Sequence, residues 1–402
     1  MKKIIWFEVS SIAWGGGPQF MINAGEKLSQ LDCKVTFVHL NCSEEVESRS
    51  ELDFVSHCRT NQIGMDKSYT FGLSRFRRVF DRLRWLRRTI KDLKPDTIIT
   101  TGQWESSSWL MLACLGLPIN LSVIVYGSVF SFSNDNDITK FAGVFRQAYR
   151  RIIKDYESFE HISLEAYEKL SFKRRLLNNA ESYLRYWANR KARRIFALTG
   201  RVAREVEAMY GREVKPLPLS ITETDDVVKK GECKPSELKM VYFGRLIKSK
   251  RVIEAIKIFE HLAEQVDGLV FHILGSGVER PAIEAYVAQS RFKDAIKVFG
   301  FVAEEVLKHE IETCLCTINL DIADFDLTTL ESLGMGKPVV VSKICDLDKQ
   351  LFDMGALLSE AEVLALQGGQ LLDRLKAVDG AEVVSVVHAN YMVDERVLQL
   401  VD

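Results

Sequence analysis

Two cations stand five residues apart in the second half of the chain, Arg245 in the run Gly244-Arg245-Leu246 and then Lys250. The run follows an apolar stretch of strand length, so both cations fall where a helix begins. Beside the positive end of that helix they suit a diphosphate. Lys248 and Arg251 are charged as well, so the same residues also fit a solvated basic turn. Gly275-Ser276-Gly277 closes the next apolar run and permits either a tight crossover or close approach of a ligand to the backbone. Farther on, Asp321, Asp324 and Asp326 place carboxylates after another apolar run and through a helix start, with Glu331 one turn further in. In the first half, Gly15-Gly16-Gly17-Pro18 separates an apolar run from a helical pattern. That arrangement offers free N–H groups to an anion, and a plain tight turn accounts for it equally.

The elements that must carry these residues alternate. Apolar runs predict strands over 3–9, 34–40, 95–101 and 121–126, and then over 238–243, 269–274, 296–299, 315–320 and 338–342. Helical patterns lie between them, at 18–31, 251–265, 278–289, 304–313 and 327–335. Near-continuous apolar strands separated by helices imply parallel sheets covered on both faces. The expected fold class is therefore α/β, two Rossmann-like, doubly wound domains facing a cleft, with ligands beyond the C-terminal strand ends. We place an N-terminal domain over 1–219, a polar linker over 220–237 and a C-terminal domain over 238–385, to which the resemblance given below assigns the acceptor and donor sides respectively. A C-terminal helix over 386–402 is expected to pack back toward the N-terminal domain. Charge divides the same way: 34 Lys+Arg against 24 Asp+Glu up to Pro218, and 20 against 31 after it.

Composition excludes several classes. With 47% hydrophobic and 27% charged residues among 402, and 8 Pro, the chain is neither disordered nor fibrous. Glu8 interrupts the first apolar run too early for a secretory signal. The longest membrane-span candidate, 109–126, is cut by Gly116, Pro118 and Asn120 and reads as helix, turn and strand. Eight cysteines without a Cys-x-x-Cys pair point to a reduced, cytoplasmic protein. Asp135-Asn136-Asp137 and Asp324-Phe325-Asp326 spell a short metal motif that arises easily by chance, and no metal or other cofactor is expected. Residues 75–94 hold nine basic and two acidic side chains interleaved with Phe76, Phe80, Leu83, Trp85 and Leu86. This is an ordinary surface helix or a contact for an anionic membrane on its inner face; no nucleic-acid module is present.

Five ordered elements then carry a resemblance. Gly244-Arg245-Leu246, Lys250, Leu274-Gly275-Ser276-Gly277, Phe299-Gly300-Phe301-Val302 and Glu331-Ser-Leu-Gly-Met-Gly-Lys-Pro-Val-Val340 resemble the donor domain of retaining GT-B glycosyltransferases of family four. Gly16-Gly17, Lys94-Pro95-Asp96, Val125-Tyr126-Gly127 and Ala197-Leu198-Thr199 resemble the N-terminal half of the same family more loosely. The resemblance implies sugar transfer from a nucleotide-sugar to a saccharide or lipid-linked acceptor with retained configuration, in surface polysaccharide, lipopolysaccharide or glycolipid synthesis. It implies that Arg245 and Lys250 neutralise the leaving diphosphate and that the backbone at Leu327 and Thr328 binds phosphate. Glu331 would hold the ribose, Val302 would lie beside the base, and Gly16, Gly17, Gly244, Gly275 and Gly277 would line the donor. Three positions depart from the family pattern. Ala323 replaces the first family glutamate, so that Asp324 is the substitute for the sugar contact; Tyr126 replaces an acceptor-side histidine; Pro218-Leu219-Ser220 replaces Pro-Asn-Gly. Two other readings stand beside the transferase: a catalytically weak relative that binds a sugar nucleotide or supports a partner, and an epimerase on the same fold.

Overall fold

The computed structural model describes residues 1–11, 16–60, 73–102, 106–127, 171–218, 237–322, 327–343 and 345–402. They fall into two compact units. One comprises the described residues of 1–219 together with Val393–Asp402, and the other comprises those of 220–392. Most of the expected linker lies outside the described residues. After the helix Gly380–Tyr391 the chain re-enters the first unit as a short 3-10 helix, Glu395–Leu400. There Lys2 Nζ meets Asp402 Oδ1 at 2.7 Å, and the Ser122 hydroxyl donates to the Leu400 carbonyl at 2.6 Å.

The first unit holds a seven-stranded sheet ordered β3-β2-β1-β4-β5-β6-β7, with every paired neighbour parallel. Its strands are β1 (Lys2–Ser11), β2 (Cys33–Cys42), β3 (Asp53–Ser56), β4 (Thr97–Thr101), β5 (Asn120–Val125), β6 (Arg194–Ala197) and β7 (Lys215–Pro216). Alternate residues of β1 serve the two faces. Ile5, Phe7 and Val9 pack with Leu86 and Ile90 of the helix Leu73–Leu93 and with Leu110 of the helix Ser106–Ala113. Trp6, on the other face, meets Phe20 of the helix Gly16–Gln30 and Phe37 of β2, with ring centroids 6.1 and 6.4 Å apart. A strand covered on both sides has no polar alternation to show, which is why β1 reads as an apolar run broken only at Glu8.

The second unit holds a six-stranded parallel sheet ordered β10-β9-β8-β11-β12-β13. Its strands are β8 (Lys239–Phe243), β9 (Val270–Leu274), β10 (Ile296–Gly300), β11 (Cys316–Asn319), β12 (Val339–Val341) and β13 (Leu357–Ser359). In both sheets the winding reverses once, between β1 and β4 and between β8 and β11. Parallel doubly wound sheets open a crevice at the C-terminal strand ends of such a point. The nine strands expected from apolar runs are all present; the apolar pattern does not anticipate β3, β6, β7 and β13, each of four residues or fewer. The stretch 109–126 is helix, turn and β5. Among the described residues no helix is long and apolar enough to cross a membrane.

Candidate functional site

In the second unit the loops after β8 and β9 are sewn together through their backbones. Gly244 N–H donates to the Leu274 carbonyl at 3.0 Å, Leu246 N–H to Ser276 at 2.8 Å, and Glu279 N–H back to Leu246 at 3.0 Å. Gly275 N–H reaches the Gly300 carbonyl at the end of β10 at 2.7 Å. These approaches leave no room for side chains at Gly275, φ +140°, or at Gly277. A Cβ would run into the carbonyl of Gly244 in the first case and of Leu246 in the second. The two glycines therefore bring the loops into contact with each other, which fixes the path of Gly244-Arg245-Leu246.

The cations on that path differ sharply. Arg245 is exposed, while its carbonyl accepts from the buried Tyr242 hydroxyl at 2.8 Å. Lys250 ends a single 3-10 turn, Lys248–Lys250, and is buried. Its Nζ lies 2.5 Å from Oδ2 of Asp321, two residues beyond the end of β11. Asn319, at the end of β11, donates through Nδ2 to the hydroxyls of Thr328 at 3.0 Å and Thr329 at 2.8 Å. This anchors the first turn of the helix Leu327–Gly334, and the Thr328 methyl lies 3.8 Å from where a Gly244 Cβ would stand. Gly244, Gly275, Gly277, Lys250 and Thr328 are thus one connected group. Leu327 opens the helix and Glu331 is half-buried one turn further along it. Val302 packs partly buried against the cluster that holds Val241, Phe243, Leu274 and Met335. Asp324 lies outside the described residues, as do Ala323 and Asp326. Among the described residues no cluster of His, Cys, Asp or Glu is arranged to hold a metal ion.

In the first unit Gly16 opens the helix Gly16–Gln30 and is exposed; Gly15 lies outside the described residues. A Cβ on Gly17 would stand 3.6 Å from the Tyr126 ring, an ordinary contact. Tyr126 packs edge-on against Phe20 with centroids 5.4 Å apart, and burial, then the neighbouring Glu8, raises its phenol well above the ordinary range. Glu8 was noted in the sequence solely as a break in an apolar run. It is buried at the reversal of this sheet, where its carboxylate accepts from Thr101 N–H at 3.0 Å, Thr101 Oγ1 at 2.8 Å and Ser106 Oγ at 2.9 Å. Burial outweighs those bonds and pushes its pKa up to about 7. Asp321 and Glu8 share a signal that sequence inspection can use: a carboxylate at the end of an otherwise apolar strand needs a buried partner.

Two doubly wound parallel sheets, one of them carrying this loop and helix-start arrangement, define the GT-B class of glycosyltransferases. Residues 14–221 match the family Glycosyltransferase Family 4, and residues 224–356 match Glycosyl transferases group 1. The chain belongs to this glycosyltransferase family, whose members are retaining enzymes that use nucleotide-sugar donors. No curated protein matches the sequence. Among solved structures, TarM superposes with a TM-score of 0.67 at 10% identity, covering 99% of this chain and 97% of that one. HepE of Anabaena, solved with UDP and glucose, gives 0.65 at 12% identity, covering 100% and 97%. WaaG, a glycosyltransferase involved in lipopolysaccharide biosynthesis, gives 0.64 at 11% identity, covering 99% of both chains. At these identities the likeness is one of fold.

Proposed function

We propose that this chain moves a sugar from a nucleoside diphosphate sugar to a hydroxyl of a saccharide or lipid-linked acceptor, with retention, in the assembly of a surface polysaccharide or glycolipid. The observation that carries the reading is the connected group of Gly244, Lys250 and Thr328, with Arg245 on the same loop. The acceptor oxygen bonds to the anomeric carbon as the bond from that carbon to the phosphate oxygen breaks, and the acceptor proton passes to the leaving phosphate. Arg245 and Lys250 then face charge that grows on the diphosphate, where one such preorganised contact is worth a rate factor of ~10² to 10³. The N–H groups at Leu327 and Thr328 bind phosphate, Glu331 accepts from the ribose hydroxyls, and Val302 lies beside the base. Asp324 takes the sugar contact that Ala323 does not supply.

The acceptor side belongs to the first unit, with Tyr126 and the Gly16-Gly17 helix start. Its outer helices support peripheral contact with an anionic membrane on the inner face. Residues 75–94 are strongly basic, and the helix Phe172–Lys191 exposes Phe172, Leu176, Tyr183 and Trp187 beside Lys173, Arg190 and Lys191. HepE, solved with UDP and glucose, and WaaG, involved in lipopolysaccharide biosynthesis, support the nucleotide-sugar and surface-glycan parts of the proposal.

A thermal-shift screen against UDP, GDP and ADP and their sugars tests the donor assignment. One base should raise the melting temperature in proportion to ligand excess; no shift with any of them would sink the reading. Ala323 and Tyr126 favour a second reading, a weak relative that binds donor without transfer. Nucleotide release unchanged by every acceptor offered would select it, and a new nucleotide-sugar formed without acceptor would select an epimerase.

A further inference from the structure

Lys250 and Asp321 stand on either side of the winding reversal in the second sheet, one after β8 and the other after β11. The Asp321 side chain is fully buried and that of Lys250 is 9% exposed. Asp321 is itself held from several directions. Its N–H donates to Asn319 Oδ1 at 3.3 Å, and its carbonyl accepts from the Ser342 hydroxyl at 3.0 Å. Ile322 N–H, next in the chain, donates to the Ser249 carbonyl at 3.3 Å, beside Lys250. Through Asn319 the same segment grips Thr328 and Thr329 at the helix start. The carboxylate is thus a fixed point between the cation loop and the helix start.

An ammonium buried without a counter-charge gives up its proton, because desolvation penalises the charged form. A carboxylate in contact reverses that preference. An ammonium also has three N–H donors, so a bond to Asp321 does not exclude one to a phosphate oxygen. We infer that Asp321 is a positioning residue for Lys250: it keeps the ammonium charged and fixes it at the reversal point, ready to share with a diphosphate. The inference rests on the reading of Lys250 as a diphosphate contact. Among the described residues, the charged and titratable groups around this turn include Lys248, Arg245, the Arg251–Glu360 pair at 3.1 Å, and Tyr242. Burial, and then Asp321, make the Tyr242 phenol harder to ionise.

The test reads the charge on Lys250 directly, without a substrate. Competitive acetylation with acetic anhydride across pH, quantified by mass spectrometry on the peptide that holds Lys250, gives its titration midpoint. In Asp321→Asn that midpoint should fall by at least one pH unit, a tenfold loss of proton affinity; in Asp321→Glu it should stay within half a unit. A structural role alone would lower the melting temperature and leave the midpoint unmoved, and an unmoved midpoint in folded Asp321→Asn overturns the inference. Position is read separately in Asp321→Glu, which keeps the charge and so does not depend on Asp321→Asn folding. Its kcat, with the nucleotide-sugar picked by the thermal-shift screen, should drop at least fivefold with KM within threefold, and native kcat there also overturns the inference. Lys250→Ala, titrated calorimetrically with UDP and assayed alongside, tells the two failures apart. Native UDP affinity and turnover in Lys250→Ala would remove the diphosphate reading itself, whereas their loss beside a native Asp321→Glu would remove the positioning role of Asp321.

Discussion

Thr101 donates to Glu8 twice, from its backbone N–H at 3.0 Å and its hydroxyl at 2.8 Å, across the winding reversal between β4 and β1. The pair has a counterpart in Lys250 and Asp321, which span the reversal of the other sheet. In each unit a buried ionisable group therefore stands where the two halves of the sheet part.

The first expectation concerns pH. Burial raises the pKa of Glu8 from an ordinary 4.5 to about 7, so the folded chain holds a proton that the unfolded chain releases. The stability this contributes is complete below pH 4.5 and is lost as pH rises through 7, about 3 kcal/mol in all. His39, paired with Glu8 in the β1–β2 ladder, does the opposite. Burial lowers its pKa from 6.5 to about 3, so its contribution is present above 6.5 and is lost as pH falls toward 3. Between pH 4.5 and 6.5 the two slopes oppose each other. Denaturant titrations of Glu8→Gln should accordingly show stability rising with pH across that window relative to the native chain. Parallel curves for the two proteins would mean that Glu8 titrates alike in the folded and unfolded chain.

Replacing the two cations should separate activity from stability. Arg245→Ala and Lys250→Ala should each lower turnover ~10²-fold or more. Arg245 is exposed and its loss should leave the melting temperature unchanged. Lys250→Ala strands the buried carboxylate of Asp321 and should cost about 3–5 kcal/mol as well. Equal stability of the two variants by calorimetry would contradict the buried pair.

The carboxylates on either side of the helix start should divide their effects. Glu331→Ala should weaken the nucleoside diphosphate itself, by about 1.5–3 kcal/mol for a charged hydrogen bond. Asp324→Ala should damage turnover while leaving diphosphate affinity near native. Calorimetric titration of both with diphosphate checks the split, and equal losses of affinity would reverse the assignment.

Gly275 should tolerate no side chain. Its φ of +140° and the Gly244 carbonyl in the place of a Cβ make Gly275→Ala destabilising by ~3 kcal/mol or more. Gly116→Ala, at φ +76° but in open space, should cost ~1 kcal/mol. Thermal unfolding of the pair measures the difference, and a Gly275→Ala variant as stable as Gly116→Ala would show that the loops part readily.

Membrane contact has its own test, and the structure narrows the choice of residues. Arg87 donates to the carbonyls of Ala113 at 2.7 Å and Leu115 at 2.8 Å, so it holds the end of a helix. Arg84 and Arg88 are exposed, with the Arg84 guanidinium 5.1 Å from the Phe80 ring centroid. Sedimentation with vesicles containing anionic lipid should weaken about fivefold per charge removed in Arg84→Gln with Arg88→Gln, and raised salt should release the native chain. Trp187→Ser should weaken it too. Unchanged sedimentation in both variants would make these helices ordinary solvated faces.

The nine apolar strands, the helices between them and the Gly244-Arg245-Leu246 framework were legible in the residues because each is a property of consecutive positions. Strand or helix patterning, a proline near a helix start and a glycine after a strand act within a few residues of themselves. The short strands β3, β6, β7 and β13, of two to four residues, were not. Partnership was decided by the tertiary structure alone. Lys250 and Asp321 are 71 residues apart, Glu8 and Thr101 are 93, and Ser122 and Leu400 are 278. Whether such a pair meets depends on which strands become neighbours, and a strand's own residues say nothing about where the winding reverses. The same order decides which carboxylates are buried, and desolvation then sets their charge. Gly275 shows the limit most plainly: its run permits a ligand or a crossover equally well, and only β8 lying beside β9 brings the Gly244 backbone into the place of its Cβ.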